Sequence, residues 1–220
     1  MKTILLLASF PLVGCAELHA LHGQNQIVGS GKEKTETRTV GTYTGIELSG
    51  ALEATFVEGS GGPVKITADD NLLKHIKTVV KNGVLHIYSE GSISTKRSIR
   101  VSGSAASIKS LGLSGACNLK FSTKAAHALK VDSSGASIIK VAGPIGDLDI
   151  ELSGASQLTL PKANVSSVIA DLSGASILTA PIHAQKAKID ASGASVVSGM
   201  TADDADVDAT GASTVSVKAK

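Results

Sequence analysis

The sequence predicts an all-β fold: a single-stranded right-handed parallel β-helix, or solenoid, with coils of about 19–20 residues after an irregular β N-terminal part. The main observation is a Ser-Gly-Ala phrase that recurs at intervals of 18 to 20 residues from Gly115 onward. A nearly constant period of this size is typical of repeat proteins, in which each repeat buries its apolar face against its neighbours. The phrase or a near twin surrounds Gly50, Gly115, Gly135, Gly154, Gly174, Gly193 and Gly211.

Apolar and polar residues alternate around each of these glycines, with the period of two that a β-strand requires. Leu152 and Ile150 stand two and four residues before Gly154, and Leu158 and Leu160 stand four and six residues after it. The same even positions are apolar in almost every repeat, whereas the odd positions are mostly charged or hydroxylated. Each repeat therefore predicts two short strands that flank the Ser-Gly-Ala turn and point their even positions inward.

Other repeat folds fit this pattern less well. A leucine-rich repeat needs a Leu-x-x-Leu-x-Leu core with Asn, and a pentapeptide helix needs Ala-Asp-Leu-x-x several times per coil. The sequence lacks the first pattern and has Ala170-Asp171-Leu172 only once in its coil. A left-handed hexapeptide helix requires coils in multiples of six residues. A right-handed parallel β-helix accepts coils of variable length and is retained.

The part of the chain before the regular repeats predicts shorter and less regular elements. Residues 32–101 form this irregular β portion and residues 102–220 the regular coils, together one domain over residues 32–220. Asn82-Gly83 lies between two apolar runs and predicts a tight hairpin, because both residues tolerate positive φ. The segment from Asp70 to Ile76 predicts one helical turn, capped by Asp70 or Asn71.

The N-terminus predicts a signal peptide of the lipoprotein type over residues 1–14. Lys2 precedes a short apolar stretch, residues 4–13, which is too short to span a bilayer. It ends in Leu12-Val13-Gly14-Cys15, which resembles a bacterial lipobox and makes Cys15 the predicted site of lipidation. The alternative is ordinary secretion with cleavage after Ala16 or Ala20. Residues 15–31 are polar and predict a flexible tether.

Composition excludes several partners. The chain has 21 basic and 19 acidic residues, three Phe, two Tyr and no Trp. Because the chain has no basic run and too few aromatic residues to stack on bases, nucleic acid is not an expected partner. If Cys15 carries lipid, Cys117 has no partner, so no disulfide framework is expected.

The sequence offers few residues for catalysis or metal binding. Its six histidines are scattered without metal-ligand spacing, so no metal site is assigned to them. Cys117 occupies the inward position at which the other repeats have serine, and it is interpreted as a small buried filler rather than a nucleophile. The aligned serines are Ser137, Ser156, Ser176, Ser195 and Ser213.

An acidic residue stands three positions before the glycine in five successive repeats. These residues are Asp132, Glu151, Asp171, Asp190 and Asp208. Their odd parity predicts one outward-facing column, which we call the acidic column. It is interpreted either as a solvated face, partly neutralised by Lys130 and Lys188, or as a strip that binds a basic ligand or a divalent cation such as Ca²⁺ or Mg²⁺. No other cofactor is expected.

Several phrases in residues 31–88 resemble a family of exported bacterial proteins. They are Thr37-Arg38-Thr39-Val40, Tyr43-Thr44-Gly45-Ile46, Ser49-Gly50-Ala51, Asp70-Asn71-Leu72-Leu73 and Val84-Leu85-His86-Ile87-Tyr88. Followed by the Leu-Ser-Gly-Ala-Ser repeats, this order resembles the "putative auto-transporter adhesin, head GIN domain" family over essentially the whole mature chain. The resemblance implies an all-β, β-helix-like fold and a cell-envelope location, and it implies no catalytic residues. The sequence departs from the family in using Ala where a second Gly or Ser is usual.

These observations favour a non-enzymatic envelope protein, adhesin-like or a scaffold, that presents a rigid surface to an extracellular polymer or protein. Its predicted location is the outer membrane, through the lipid anchor, or the periplasm, with secretion as the alternative. The competing functions are a carbohydrate-active β-helix lyase or hydrolase and a periplasmic assembly factor. Such enzymes need long loops and clustered charged residues, but the coils are short and no Arg follows Arg100. No catalytic residue is therefore assigned.

Overall fold

The computed structural model describes residues 26–219, which are almost entirely β-structure. The first strands are β1 (Ile27–Val28), β2 (Glu33–Arg38), β3 (Gly45–Gly50), β4 (Leu52–Glu58), β5 (Val64–Asp69), β6 (Ile76–Lys81), β7 (Val84–Ser89), β8 (Ile93–Ser94) and β9 (Ile99–Ala105). The repeats supply β10 (Ser110–Gly115), β11 (Asn118–Ser122), β12 (Leu129–Ser133), β13 (Ile138–Ala142), β14 (Leu148–Leu152), β15 (Gln157–Thr159), β16 (Ala163–Leu172), β17 (Ile177–Thr179), β18 (Ile182–Ala191), β19 (Val196–Ala209) and β20 (Thr214–Ala219).

Strands one repeat apart pair in parallel and in register. In β12 and β14, for example, Val131 lies opposite Ile150 and Asp132 lies opposite Glu151. The strands that precede each Ser-Gly-Ala turn form a first ladder, in the order β7, β3, β10, β12, β14, β16, β18 and β19. The strands that follow the turn form a second ladder, in the order β9, β4, β11, β13, β15, β17 and β19. Because β19 belongs to both ladders, they are parts of one sheet.

Antiparallel strands extend both ladders at the N-terminal end. The β6–β7 pair is a hairpin closed by Asn82 and Gly83, whose φ angles are 52° and 75°, as the sequence predicted. β5 pairs antiparallel with β9, and β2 pairs antiparallel with β5. The sheet of 18 strands thus runs from β6 through the first ladder to β19 and back through the second ladder to β2, and β20 pairs with the first half of β19.

The two ends of this sheet meet through one side chain. The guanidinium of Arg38, the last residue of β2, donates hydrogen bonds to the carbonyl oxygen of Ile76 in β6 and to Thr78 Oγ1 (2.8 Å). It also donates to the carbonyl oxygen of Leu73 at 2.7 Å. Arg38 therefore bridges strands that share no backbone ladder, and the sheet nearly closes on itself.

The predicted fold class is wrong beyond its all-β content. The structure is a nearly closed sheet of mixed parallel and antiparallel strands, not a single-stranded right-handed parallel β-helix. Two features account for the error. The antiparallel strands β2, β5 and β6 belong to the main sheet instead of forming a separate irregular part, and β19 spans both ladders as one strand of 14 residues. The repeat period predicts the pairing of strands one repeat apart. It does not predict which strands form the two ends of the sheet or how those ends meet.

The core lies between the two ladders. It contains the residues that stand an even number of positions before or after the glycine of each repeat. Ile150, Leu152, Leu158 and Leu160 are all at most 2 % exposed. The aromatic residues concentrate near the N-terminal end of the core, where Phe121 lies opposite Phe56 in register. Burial raises the pKa of Tyr43 to about 12, and its hydroxyl donates to the carbonyl oxygen of Ser104 at 3.0 Å. The inward parity predicted for the even positions is confirmed as far as Val197, whereas Val207 and Ala209 in the last repeat are exposed.

The glycines of the repeated phrase stack in a column. From Gly115 to Gly211 their φ angles lie between 70° and 85°, a backbone region that residues other than glycine rarely adopt. A Cβ atom on any of them would also lie 2.4 to 2.8 Å from the carbonyl oxygen of the preceding glycine in the column. Each carbonyl accepts a hydrogen bond from the next repeat's alanine, as Gly135 does from Ala155 at 2.7 Å.

The segment before β2 is held against the turn that follows β5. Ser30 Oγ donates to Asp70 Oδ1 at 2.5 Å, and Asn71 Nδ2 donates to the carbonyl oxygen of Val28 at 2.8 Å. The predicted helical turn is a 3-10 turn over Leu73–His75, and it has no side-chain cap. The cap prediction is wrong because Asp70 and Asn71 bind this preceding segment instead.

The predicted signal peptide, residues 1–14, lies outside the described residues, as does the first part of the predicted tether, residues 15–25. Within residues 26–219 the structure contains no helix with the length and hydropathy of a membrane span.

Candidate functional site: an acidic groove on the first ladder

The acidic column lies on the outer face of the first ladder. Its five members face one another across successive parallel strands, each in direct register with the next. Parallel strands are about 4.8 Å apart, so the sheet holds the carboxylates at a fixed, short spacing. The structure thus brings together the residues that the sequence placed in one column: Asp132, Glu151, Asp171, Asp190 and Asp208.

The column forms one wall of an open groove of about 450 Å³. The other wall consists of the hydroxyl residues at the turn of each repeat, Ser153, Ser173, Ser192 and Thr210. Each repeat from Glu151 onward adds one carboxylate to the acidic wall and one hydroxyl to the other wall. The acidic wall therefore offers hydrogen-bond acceptors. We call this feature, including both walls, the acidic groove.

Charge is balanced unevenly along the acidic groove. Lys130 Nζ lies 2.7 Å from Glu151 Oε1 and 3.3 Å from Asp149 Oδ2, which raises the pKa of Lys130. Lys188 Nζ lies 3.6 Å from Asp190 Oδ2. Among the described residues, no cationic side chain lies within ion-pair distance of Asp171.

Asp171 has a raised pKa. Partial burial is the largest cause that raises its pKa, followed by the negative charge and hydrogen bond of Asp190 and the charge of Glu151. Lys188 opposes these effects by a smaller amount. A positive ligand at the centre of the groove would relieve this repulsion.

A compact metal centre is not part of the described structure. Within residues 26–219 no group of three or more His, Cys, Asp or Glu side chains is arranged to hold a metal ion. The column is linear, so an ion would contact successive carboxylates from the side rather than sit in a cage. Cation binding along the column stays a prediction.

A second, basic face lies on the second ladder. Lys65, Arg100 and Lys120 line an open depression of about 290 Å³ together with Glu53. Lys65 reaches this face because β5 pairs antiparallel with β9, where it lies opposite Ser102. Sequence reasoning missed the patch because its residues come from three separate segments. The parallel ladder brings Arg100 and Lys120 together, and the antiparallel pairing of β5 with β9 adds Lys65.

Cys117 is buried in the small-residue column beneath the turns. It is 1 % exposed, and its thiol lies 3.4 Å from the carbonyl oxygen of Ser114. Burial raises the pKa of the thiol, so it stays protonated and unreactive. Ser156 and Ser176 make the equivalent bonds to Ser153 and Ser173, each at 2.8 Å. These contacts agree with the interpretation of Cys117 as a filler.

One histidine has both a hydroxyl and a carboxylate neighbour, an arrangement that sequence reasoning did not foresee. His183 Nδ1 lies 3.1 Å from Thr201 Oγ1, and His183 Nε2 lies 3.5 Å from Asp203 Oδ1. The Thr201 hydroxyl also lies within donating distance, 3.4 Å, of the carbonyl oxygen of Ile182. The imidazole tautomer decides whether the hydroxyl donates to Nδ1 or to the carbonyl oxygen. We assign no catalytic role to these residues.

Comparison with known proteins agrees with this architecture. A family model described as "putative auto-transporter adhesin, head GIN domain" matches residues 42–220. The sequence has no significant match among curated proteins.

Several solved structures have similar folds. A putative adhesin from Bacteroides fragilis has a TM-score of 0.68 at 14 % identity, over 87 % of this chain and 99 % of that one. A putative lipid binding protein from Parabacteroides distasonis has a TM-score of 0.60 at 15 % identity, over 89 % and 98 %. A putative adhesin from Parabacteroides merdae has a TM-score of 0.53 at 16 % identity, over 90 % and 100 %. At these identities the likeness shows the fold alone.

Proposed function

The chain belongs to the family described as "putative auto-transporter adhesin, head GIN domain", and we propose that it is a non-enzymatic, adhesin-like binding protein of the cell envelope. The family description suggests an exported or cell-surface protein, and two structural neighbours are named putative adhesins. The observation that carries the proposal is the acidic groove, an open surface of in-register carboxylates and hydroxyls.

The groove favours a positively charged partner. Its carboxylates are fixed on β-strands, so a ligand does not have to order flexible loops before it binds. Ammonium or guanidinium groups that repeat along a polymer or a peptide can each contact one or two carboxylates. We therefore propose a basic polymer or a basic protein segment as the ligand class, with Asp171 at the centre of the contact.

Binding to an array of glycans and matrix proteins tests this proposal. The matched variants are Asp171→Asn with Asp190→Asn in the acidic groove, and Lys120→Gln with Lys140→Gln on the opposite face. We expect the first pair to lose binding to basic ligands by at least tenfold and the second pair to keep it. Equal binding by both variants and the unmodified protein would remove the groove from the proposal.

The same experiment addresses the competing functions. Incubation with a panel of polysaccharides, followed by analysis for shortened products, tests the lyase or hydrolase reading. Vesicles are included because one structural neighbour is named a putative lipid binding protein. We expect no shortened products and no binding to neutral vesicles.

We further propose that the protein is anchored through a lipid on Cys15 and resides at the outer membrane or in the periplasm. The support is the lipobox-like sequence from Leu12 to Cys15. Biotinylation of intact cells, followed by recovery of labelled protein, distinguishes surface display from a periplasmic assembly role. Labelling of intact cells supports adhesin-like display.

A further inference from the structure

The C-terminal end of the first ladder is an unpaired strand edge. Residues 203–209 of β19 pair with β18 on one side, whereas β20 pairs only with the first half of β19. Among the described residues, this leaves the second half of β19 without a partner on its other side. All seven of these residues are exposed, including Val207, which continues a core row and is 40 % exposed. Such an edge can pair with another strand.

The opposite end of the first ladder is also a free edge. Within residues 26–219, β6 pairs only with β7, and Val79 in its centre is 47 % exposed. Arg38 binds the carbonyl of Ile76 and the hydroxyl of Thr78, so the edge is open from the backbone of Thr78 onward. Lys77, Val79 and Lys81 alternate along its outer face, and Thr78 and Val80 face the core.

The two edges have complementary charge patterns. Asp204, Asp206 and Asp208 lie on the outer face of β19, in register with Lys186, Lys188 and Asp190 of β18. The corresponding face of β6 carries Lys77 and Lys81, although Lys77 also contacts Glu90 at 3.1 Å. Both sets alternate with period two, so charges on one edge can meet charges on the other when the strands pair.

Strand direction fixes how the edges can meet. β6 is antiparallel to β7, and β7 runs parallel to the rest of the first ladder. A second copy in the same orientation therefore offers its β6 antiparallel to the β19 edge. In one register Asp204 then lies opposite Lys81 and Asp208 opposite Lys77, while Val207 lies opposite Thr78. Two β19 edges facing each other would instead oppose aspartate to aspartate.

We propose that the protein associates head to tail, with the β19 edge of one copy pairing with the β6 edge of a second copy. This contact is heterologous, so it extends into open chains instead of closing a dimer. It involves the first ladder only. At the same end the second ladder finishes with β2, where Lys34 and Glu36 lie opposite the buried Ala68 and Ile66 of β5, and charged residues in this row oppose continuation of the core. The edge and the acidic groove share Asp208, but the association does not depend on which ligand the groove binds.

Analytical ultracentrifugation of the full chain over a concentration series tests this association. We expect oligomers of increasing length at low salt and their loss at 1 M salt, where charge pairs are screened. The variants Asp204→Lys with Asp208→Lys, and Lys77→Asp with Lys81→Asp, should each remain monomeric. Mixed in equal amounts, they should assemble again, because each then finds an oppositely charged edge on the other.

The control is Lys120→Asp with Lys140→Asp, which makes the same change in net charge as Lys77→Asp with Lys81→Asp but on the other face, and it should associate like the unmodified protein. Recovery of assembly in the mixture also shows that both edge variants are folded. The proposal is overturned by a protein that is monomeric at every concentration, by a closed dimer, or by edge variants that self-associate normally.

Discussion

The carbonyl oxygen of Gly135 lies 2.5 Å from the position that a Cβ atom would take on Gly154. The same oxygen accepts the hydrogen bond of Ala155, so it cannot move away without breaking the link between two repeats. Conformation and space therefore both require glycine at position 154.

We predict that Gly154→Ala lowers the free energy of unfolding by about 3 kcal/mol or more, since positive φ and close packing are each penalised. Urea denaturation measures the change. Gly31→Ala is the matched control: its φ is 75°, but no atom lies within 4 Å of the added Cβ, so it should lose only about 1 kcal/mol. Equal losses would show that the contact with Gly135 has no energetic weight.

Cys117→Ser should change the free energy of unfolding by less than about 1 kcal/mol, because a serine hydroxyl can bond to Ser114 as the other serines of the column do. Ser156→Ala should cost about 1 kcal/mol, because it removes a buried hydrogen bond. Thermal or urea denaturation gives both values. In the unmodified protein, a thiol reagent should label Cys117 only after unfolding, and rapid labelling of the native state would contradict its burial.

Asp171→Asn should raise the melting temperature at neutral pH. The folded-state pKa of Asp171 is raised, so its destabilising effect is absent below the unfolded pKa and complete above the folded pKa. Melting curves between pH 3 and pH 8 should show stability falling less with rising pH in the variant. Because Asp171 is largely exposed, the shift will be small.

Asp70→Asn is the control of opposite sign. The hydrogen bond from Ser30 lowers the pKa of Asp70, so its stabilising contribution is present above the unfolded pKa and lost as pH falls through the folded pKa. This variant should melt earlier than the unmodified protein at neutral pH, and the difference should vanish in acid. A lower melting temperature for both variants at neutral pH would disprove the assignment for Asp171.

Millimolar Ca²⁺ or Mg²⁺ should raise the melting temperature if the acidic column binds cations, because ligands that bind only the folded state stabilise it. The measurement is made at constant ionic strength, so that screening by NaCl is held fixed. In Asp171→Asn with Asp190→Asn the divalent effect should disappear. A melting temperature indifferent to divalent ions in the unmodified protein leaves the column as a solvated face.

Cys15→Ser should leave an unprocessed precursor, because the lipoprotein peptidase requires the lipidated cysteine. Mass spectrometry of the mature protein and labelling with a fatty-acid analogue measure the outcome. An unmodified protein whose mature N-terminus is Glu17 or Leu21 supports ordinary secretion instead.

The sequence alone supports local statements about this protein better than global ones. Alternating residues such as Ile150 and Leu152 determine which side of a strand is buried, and the position of Asp132 relative to Gly135 predicts its register with Glu151. Each of these relations spans one repeat or less. The antiparallel placement of β2 and β5 depends on contacts between segments without a repeated pattern, such as Arg38 with Ile76. No periodic signal reports those contacts.

The candidate site shows the same division. The acidic groove follows the repeat, so its carboxylates could be placed together from the sequence. The basic face of Lys65, Arg100 and Lys120 could not, because it depends on the pairing of β5 with β9. Likewise, Asp70 or Asn71 was expected to cap a helical turn, but Asp70 binds Ser30, a residue that the sequence placed in a flexible tether.

The stacked glycines also bear on how such a protein can change its length in evolution. Every repeat presents the same carbonyl and the same small residue to the next, so duplicating or deleting one repeat preserves the contact on both sides of the change. Each such event changes the length of the acidic groove by about 4.8 Å and its number of carboxylates by one. Natural variation in repeat number would thus adjust the number of charges offered to a ligand while the turn chemistry stays constant.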